Sequence, residues 1–188
     1  MQKIMEMMTK NARQNGMKVI IVKALILLLC CFAGIFVKRA INPLANVITD
    51  ALHIPGGIST SAALMFLVIG AGVTNCRFGA IVMAAMQGSC ALMMGMTGSM
   101  GILLPIAYLL PGFAIDAVML LPLQGQWGKR LKAFLANIAA SLTAALFADI
   151  AVFHLPAIVL LVYLCVAAFS GAICGCLAAS VINGGENE

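Results

Sequence analysis

The sequence predicts an all-α fold: a polytopic membrane bundle of six transmembrane helices, with the N- and C-termini in the cytoplasm. The 188-residue chain is 63% hydrophobic and only 9% charged, whereas soluble domains carry about 25% charged residues. No Asp, Glu, Lys or Arg occurs between Ile150 and Gly185, and this exceeds the roughly 20 residues that cross the hydrocarbon of a bilayer. At that length per span, the chain holds about six spans joined by short loops.

The chain divides into three parts. Residues 1–18 are basic and Met-rich and are expected to form a cytoplasmic amphipathic segment on the membrane surface. The transmembrane domain follows over 19–182, and 183–188 form a cytoplasmic tail. Residues 38–57 are too polar to cross the bilayer and too apolar for a free linker, so we expect a partly buried, structured loop. The predicted spans are residues 19–37, 58–75, 78–95, 102–121, 131–152 and 157–182.

The orientation of the bundle follows from its basic residues, which are enriched in cytoplasmic loops of membrane proteins. With six spans, one side holds only Lys38 and Arg39, and the other side holds the remaining basic residues near span ends. The basic side is therefore predicted to be cytoplasmic. Its residues are Lys3, Lys10, Arg13, Lys18, Arg77, Lys129, Arg130 and Lys132.

Several classes of function are disfavoured by the composition. The chain has no GxxxxGK[ST] phosphate-binding loop, so energy for uphill transport would have to come from another subunit or an ion gradient. The net charge of +5 lies in short clusters beside apolar segments, which encodes topology and does not indicate nucleic-acid binding. The seven cysteines form no C-x-x-C pair and are expected to be packing residues. We predict no metal site and no cofactor.

Small residues recur at four-residue spacing on two predicted spans, and residues four apart share one helix face. Small side chains allow helix backbones to approach closely in lipid. Two uses stay open: packing inside this bundle, or docking onto a partner membrane protein. The residues concerned are Ala136, Ala140, Ala144 and Ala148 on the fifth span, and Ala167, Gly171, Gly175 and Ala179 on the sixth.

Four short motifs carry a resemblance to a known family. They are Arg-Phe-Gly-Ala at 77–80, Gln-Gly at 87–88, the glycine-rich turn at 95–101 and Leu-Leu-Pro-Gly-Phe-Ala-Ile-Asp at 109–116. The chain resembles the substrate-binding S components of energy-coupling factor (ECF) vitamin transporters, closest to the branch associated with thiamine and its hydroxymethylpyrimidine precursor. In the first span, Cys30 and Gly34 are the nearest equivalents of the family's small-residue docking motif.

The resemblance implies a transport subunit without enzymatic activity of its own, in the cell membrane of a prokaryote and in contact with membrane lipid. Such a subunit captures a small vitamin-like solute from outside. It then joins a transmembrane coupling subunit and two cytoplasmic ATPases and releases the solute inward.

A binding pocket is expected on the outer side. There, glycines let backbone N–H groups approach a ligand, and methionines form adaptable apolar walls. Asp149 and His154 are predicted either to bind an amine or an aromatic nitrogen base, or to form an ion pair at the helix end. Intramembrane ionisable residues indicate function by default, although we expect Asp116 to be structural. The predicted pocket residues are Asp50, His53, Gly56, Gly57, Met94, Met96, Ser99, Tyr108, Asp149, His154 and Tyr163.

Three alternatives stay open. In the first, His53 and His154 ligate a metal or a haem in an uptake component. The second is an assembly subunit that binds no ligand, which the small-residue faces would fit equally well. The third is an intramembrane serine hydrolase with Ser99 as nucleophile and His154 as base, although a nucleophile needs its base within hydrogen-bond reach.

Overall fold

The computed structural model of the protein describes the backbone of residues 2–52, 58–96, 98–123 and 125–184, and the side chains of 17–43, 59–96, 100–123 and 125–184. These residues are predominantly helical, and no strand occurs among them. A 3-10 helix (Gly98–Leu103) precedes the fourth α-helix, and a π-helical turn (Asp149–Phe153) continues the fifth. The α-helices are α1 (Gln2–Leu52), α2 (Ile58–Thr74), α3 (Gly79–Met93), α4 (Leu104–Met119), α5 (Gly125–Ala148) and α6 (Ala157–Gly184).

Four helical segments are long and apolar enough to cross a membrane. These segments are Met17–Pro43, Met100–Met119, Gly125–Phe153 and Ala157–Gly184. The predicted all-helical fold is thus confirmed for the described residues. Helices α2 and α3 have 17 and 15 residues, which is about 25 and 22 Å of helix against the roughly 30 Å of bilayer hydrocarbon. Six crossing helices therefore stay a prediction.

Helix α1 differs from its prediction at both ends. It is one helix of 51 residues that includes Pro43, with no break at residue 18 and no loop beginning at Lys38. Proline removes one backbone hydrogen bond, which is tolerated in membrane helices where neighbouring groups compensate. The segment from Lys38 to Leu52 contains no glycine, and its Asn42-Pro43 pair, although a turn signal, does not end the helix. The predicted loop is therefore wrong over residues 38–52.

Helix contacts give the direction of each helix. A Cβ at Gly88 would meet Pro105, and one at Gly112 would meet Ala84, so α3 and α4 are antiparallel. Helices α5 and α6 are also antiparallel, since Phe134 lies beside Gly175 whereas Ser141 lies beside Gly171. By contrast α2 and α6 are parallel, because Ser61 contacts Ser170 and Gly72 lies beside Ile182. We call the end of the bundle where α2, α4 and α6 begin the cavity end.

The core of the bundle is built around α2 and the small faces of α5 and α6. Leu64, Leu67 and Val68 of α2 are fully buried, because this helix packs against every other one. The glycines of α6 meet Phe134, Asn137, Ile138 and Ser141 of α5, and a Cβ at Gly175 would lie 2.9 Å from the Phe134 carbonyl oxygen. Helices α5 and α6 therefore approach each other closely.

This packing bears on the predicted docking residues. Ala136 and Ala140 are fully buried in the core, and Ala144 packs against it. On α6, Ala167, Gly171 and Gly175 are buried. Gly34 is buried where a Cβ would meet Gln87 and Ala63, and Cys30 lies beside Gly70. None of these residues forms an exposed surface, so the structure uses them for internal packing and gives the docking prediction no support.

Candidate functional site

A cavity of about 250 Å³ opens at the cavity end, between α1, α2, α4, α5 and α6. Pockets for drug-sized molecules measure roughly 300–1,000 Å³, so this cavity suits a smaller molecule. It exists because α4 and α5 present alanines where larger side chains would fill the space. These alanines are Ala107, Ala144, Ala145 and Ala148.

Lys38 and Tyr108 form the charged wall of the cavity. The Lys38 ammonium donates a hydrogen bond of 2.7 Å to the Tyr108 hydroxyl oxygen and lies 4.5 Å from the centroid of the tyrosine ring. Tyr108 is buried and Lys38 is half-buried, so the tyrosine holds the lysine head at the cavity wall. Because the hydroxyl oxygen accepts from Lys38, its own proton can point to a ligand.

Hydroxyl groups from α2 and α5 complete the polar lining. Ser59, Thr60 and Ser61 lie at the start of α2 and line the cavity, and the Ser61 hydroxyl lies 2.9 Å from that of Ser170. Ser141 of α5 also lines the cavity and is only 3% exposed, and its hydroxyl has no hydrogen-bond partner. Buried polar groups are normally hydrogen-bonded, so a ligand is a natural partner for this hydroxyl.

The predicted pocket residues are divided by the structure. Met96, Tyr108 and Tyr163 line the cavity, on three different segments of the chain. Met94 is 49% exposed and does not line it. The predictions at His53, Gly56 and Gly57 lie outside the described residues, and so do the side chains of Asp50 and Ser99.

The predicted Asp149–His154 side-chain pair is not formed. The Asp149 carboxylate accepts the backbone N–H of Leu155 at 2.8 Å, and the His154 ring nitrogen Nδ1 lies 3.1 Å from the backbone carbonyl oxygen of Asp149. His154 itself has a left-handed backbone with φ +48°. Both residues shape the turn between α5 and α6, and neither lines the cavity.

Other buried polar groups stabilise helix packing. Gln87 donates from Nε2 to the Cys31 carbonyl oxygen at 3.1 Å, and Asn137 donates from Nδ2 to that of Gly171 at 2.9 Å. Among the described residues, no group of three or more His, Cys, Asp and Glu side chains is suited to a metal ion.

Sequence reasoning missed several lining residues. From the sequence, Lys38 indicates only the topology, and the run Ser59-Thr60-Ser61 indicates only the start of a span. The signal for the α2 hydroxyls was this polar run at the beginning of an otherwise apolar helix. Lys38 and Tyr108 are 70 positions apart, so no local pattern joins them. The missed polar lining residues are Lys38, Asn42, Ser59, Thr60, Ser61 and Ser141.

Comparisons with protein-family models, with curated proteins and with solved structures find no match for this chain. The class of protein is therefore defined by the fold and the cavity alone. The described part of the chain is a bundle of helices, four of them long and apolar enough to span a membrane, with a cavity of about 250 Å³ at one end.

Proposed function

We propose that the chain is the membrane-embedded substrate-binding subunit of an ECF-type importer, which captures a small vitamin-like solute from outside the cell. The observation that carries the proposal is the cavity, because it combines an apolar wall with a few convergent polar groups. That combination is typical of small-molecule sites. The Ser141 hydroxyl supports the proposal because it is buried in the lining of the cavity and is open to a hydrogen bond from a ligand.

The distribution of charge supports an outward-facing cavity. Arg77 follows the end of α2, and Lys129, Arg130 and Lys132 lie at the start of α5, so all four are at the end opposite the cavity. Because basic residues concentrate on the cytoplasmic side, the cavity end faces outward. A solute would then enter at the start of α2, α4 and α6.

The resemblance of the segment 77–116 to S components supports the transport role. Since the sequence carries no nucleotide-binding loop, a transmembrane coupling subunit and two cytoplasmic ATPases would supply the energy. The partner surface would lie on the exposed apolar faces of α1 or α6, for example at Phe36 or Phe169, because the small-residue faces are used inside the bundle.

Native mass spectrometry of the detergent-purified protein, expressed in rich medium, tests the proposal. We expect an added mass from a small organic molecule, together with co-purification of a coupling subunit when the importer is co-expressed. A protein that carries neither a bound molecule nor a partner would favour the assembly-subunit alternative. A porphyrin or metal mass would instead favour the haem or metal uptake alternative.

A further inference from the structure

We propose that the ligand of the cavity is a small monocarboxylate, whose anionic group is held by Lys38 and Tyr108 while its neutral body extends toward Ser141. This inference rests on the proposed function, since it names the class of solute that the same cavity binds. It is carried by the charges, the hydrogen bonds and the depth of the lining residues.

The lining of the cavity carries a positive charge. Among the described lining residues, Lys38 is the only one with a formal charge. A cation in or near a membrane is costly unless it is paired, yet the described contacts of the Lys38 ammonium are with Tyr108 alone. A ligand carboxylate would provide the missing counter-charge, whereas a ligand cation would be repelled.

The carboxylate of Asp149 lies close to the cavity but does not serve as a counter-charge for Lys38. Asp149 follows the lining residue Ala148, but its carboxylate accepts the Leu155 N–H at 2.8 Å and does not line the cavity. The carboxylate is engaged by the backbone of the turn, so Lys38 has no counter-charge among the described lining residues.

The number of negative charges on the ligand separates a carboxylate from a phosphate ester. A phosphate ester carries about 1.5 to 2 negative charges at neutral pH, and such groups are usually held by several cationic or backbone N–H donors. Lys38 is the one cation among the described lining residues, and it matches the single negative charge of a carboxylate, with the Tyr108 hydroxyl beside it as a second donor.

The deeper part of the cavity would hold the opposite end of the ligand. Ser141 lies seven residues before Ala148 on α5, which places it about 10 Å deeper along the helix axis. Its hydroxyl has no protein partner, and Leu64, Pro111 and Ala167 line the cavity with it. This depth suits an apolar body that carries one neutral hydrogen-bonding group.

The experiment is an enrichment from a complex mixture. Detergent-purified protein is immobilised, incubated with the small-molecule fraction of yeast extract, washed and eluted, and the bound molecules are identified by mass spectrometry. The wild type is compared with Lys38→Met and with Arg39→Met. Arg39 is the matched control, because it is the adjacent exposed cation and does not line the cavity. Tyr108→Phe is a second variant that keeps the lysine, and circular dichroism verifies that each variant is folded.

We expect the wild type to enrich molecules with a single carboxylate. Lys38→Met should reduce this enrichment by about 10-fold or more, as expected for loss of a charge-assisted hydrogen bond. Tyr108→Phe should reduce it by a smaller factor, and Arg39→Met should leave it unchanged.

Three results would overturn the inference while leaving the proposed function in place. They are enrichment of a neutral or cationic molecule, enrichment of a phosphate ester, and enrichment of a carboxylate equally well by folded Lys38→Met. If the wild type enriches no molecule, the proposed function fails and the inference fails with it.

Discussion

The Asp116 carboxylate of α4 accepts the backbone N–H of Ile81 at 3.0 Å, and its other oxygen lies 3.3 Å from the N–H of Ala80. Helix α3 has no capping side chain of its own, because Phe78 occupies its N-cap position with φ +63°. Asp116 therefore caps α3 from the neighbouring helix. This contact gives the buried carboxylate the structural role that we expected.

Replacing Asp116 is predicted to destabilise the protein. Asp116→Ala leaves the first N–H groups of α3 without acceptors, which should lower the free energy of unfolding by about 1–3 kcal/mol. Asp116→Asn keeps one acceptor oxygen and should cost less. Thermal unfolding in detergent, followed by circular dichroism, measures both changes. An unfolding curve for Asp116→Ala that matches the wild type would contradict the capping role.

The contact between α5 and α6 predicts a strong effect at Gly175. A Cβ there would lie 2.9 Å from the Phe134 carbonyl oxygen and 3.0 Å from its Cα, and backbone atoms cannot move aside cheaply. Gly175→Ala should therefore destabilise the protein by roughly 1–3 kcal/mol. Gly184→Ala is the matched control, since Gly184 lies on the same helix and a Cβ there would meet no neighbouring atom within 4 Å.

The same pair of variants separates internal packing from docking. If Gly175 served only to dock a partner, Gly175→Ala would unfold like Gly184→Ala in the isolated protein and would lose only its partner. That result would contradict the packing described above for α5 and α6.

The unpartnered hydroxyl of Ser141 predicts an unusual stability effect. Ser141→Ala removes a buried polar group that has no protein partner, so the ligand-free protein should be unchanged or stabilised by up to about 1 kcal/mol. Ser61→Ala, by contrast, removes a hydroxyl that contacts Ser170 at 2.9 Å, and it should cost about 1 kcal/mol. The free energy of unfolding of both variants is measured after dialysis has removed any bound ligand. Clear destabilisation by Ser141→Ala would indicate that a protein partner satisfies this hydroxyl.

The orientation of the bundle predicts which cysteines react from each side. Cys76 is exposed and lies between α2 and α3, at the end opposite the cavity. With the other six cysteines replaced by alanine, a membrane-impermeant maleimide should label Cys76 in inside-out vesicles but not in intact spheroplasts. In a variant that also lacks Cys76, Ala157→Cys at the cavity end should show the reverse pattern. Labelling of Cys76 from outside would invert the proposed topology.

Local composition predicted most of the helices but not the full length of α1. The apolar runs predicted α2, α3, α4 and α6 to within about two residues at each end, because lipid burial selects for apolar composition, which is visible in a short stretch of sequence. Helix α5 instead begins at Gly125, six residues before the predicted start at residue 131, since polar residues can continue a helix beyond the membrane. Pro43 and the polar residues near it suggested a loop. The helix nevertheless continues to Leu52, because a proline in a glycine-free segment does not by itself end a membrane helix.

The site was less predictable for a physical reason. Met96, Tyr108 and Tyr163 were predictable because the topology places the α3–α4 connection and the starts of α4 and α6 at the same end of the bundle. The Lys38–Tyr108 contact and the unpartnered hydroxyl of Ser141 depend on which helix faces pack together. The spacing of residues within one helix does not predict this packing. Asp149 and His154 are close in sequence, yet backbone groups of the turn take up their hydrogen bonds.

The most direct test of the central claim is to block the cavity and measure the bound ligand. Ala107 lines the cavity, whereas Ala117 lies on the same helix, exposed and outside it. By native mass spectrometry, wild type and Ala117→Trp should carry the same small molecule, and Ala107→Trp should be empty because the indole fills the cavity. If Ala107→Trp holds that molecule at wild-type occupancy, the cavity is not the binding site and the account is contradicted.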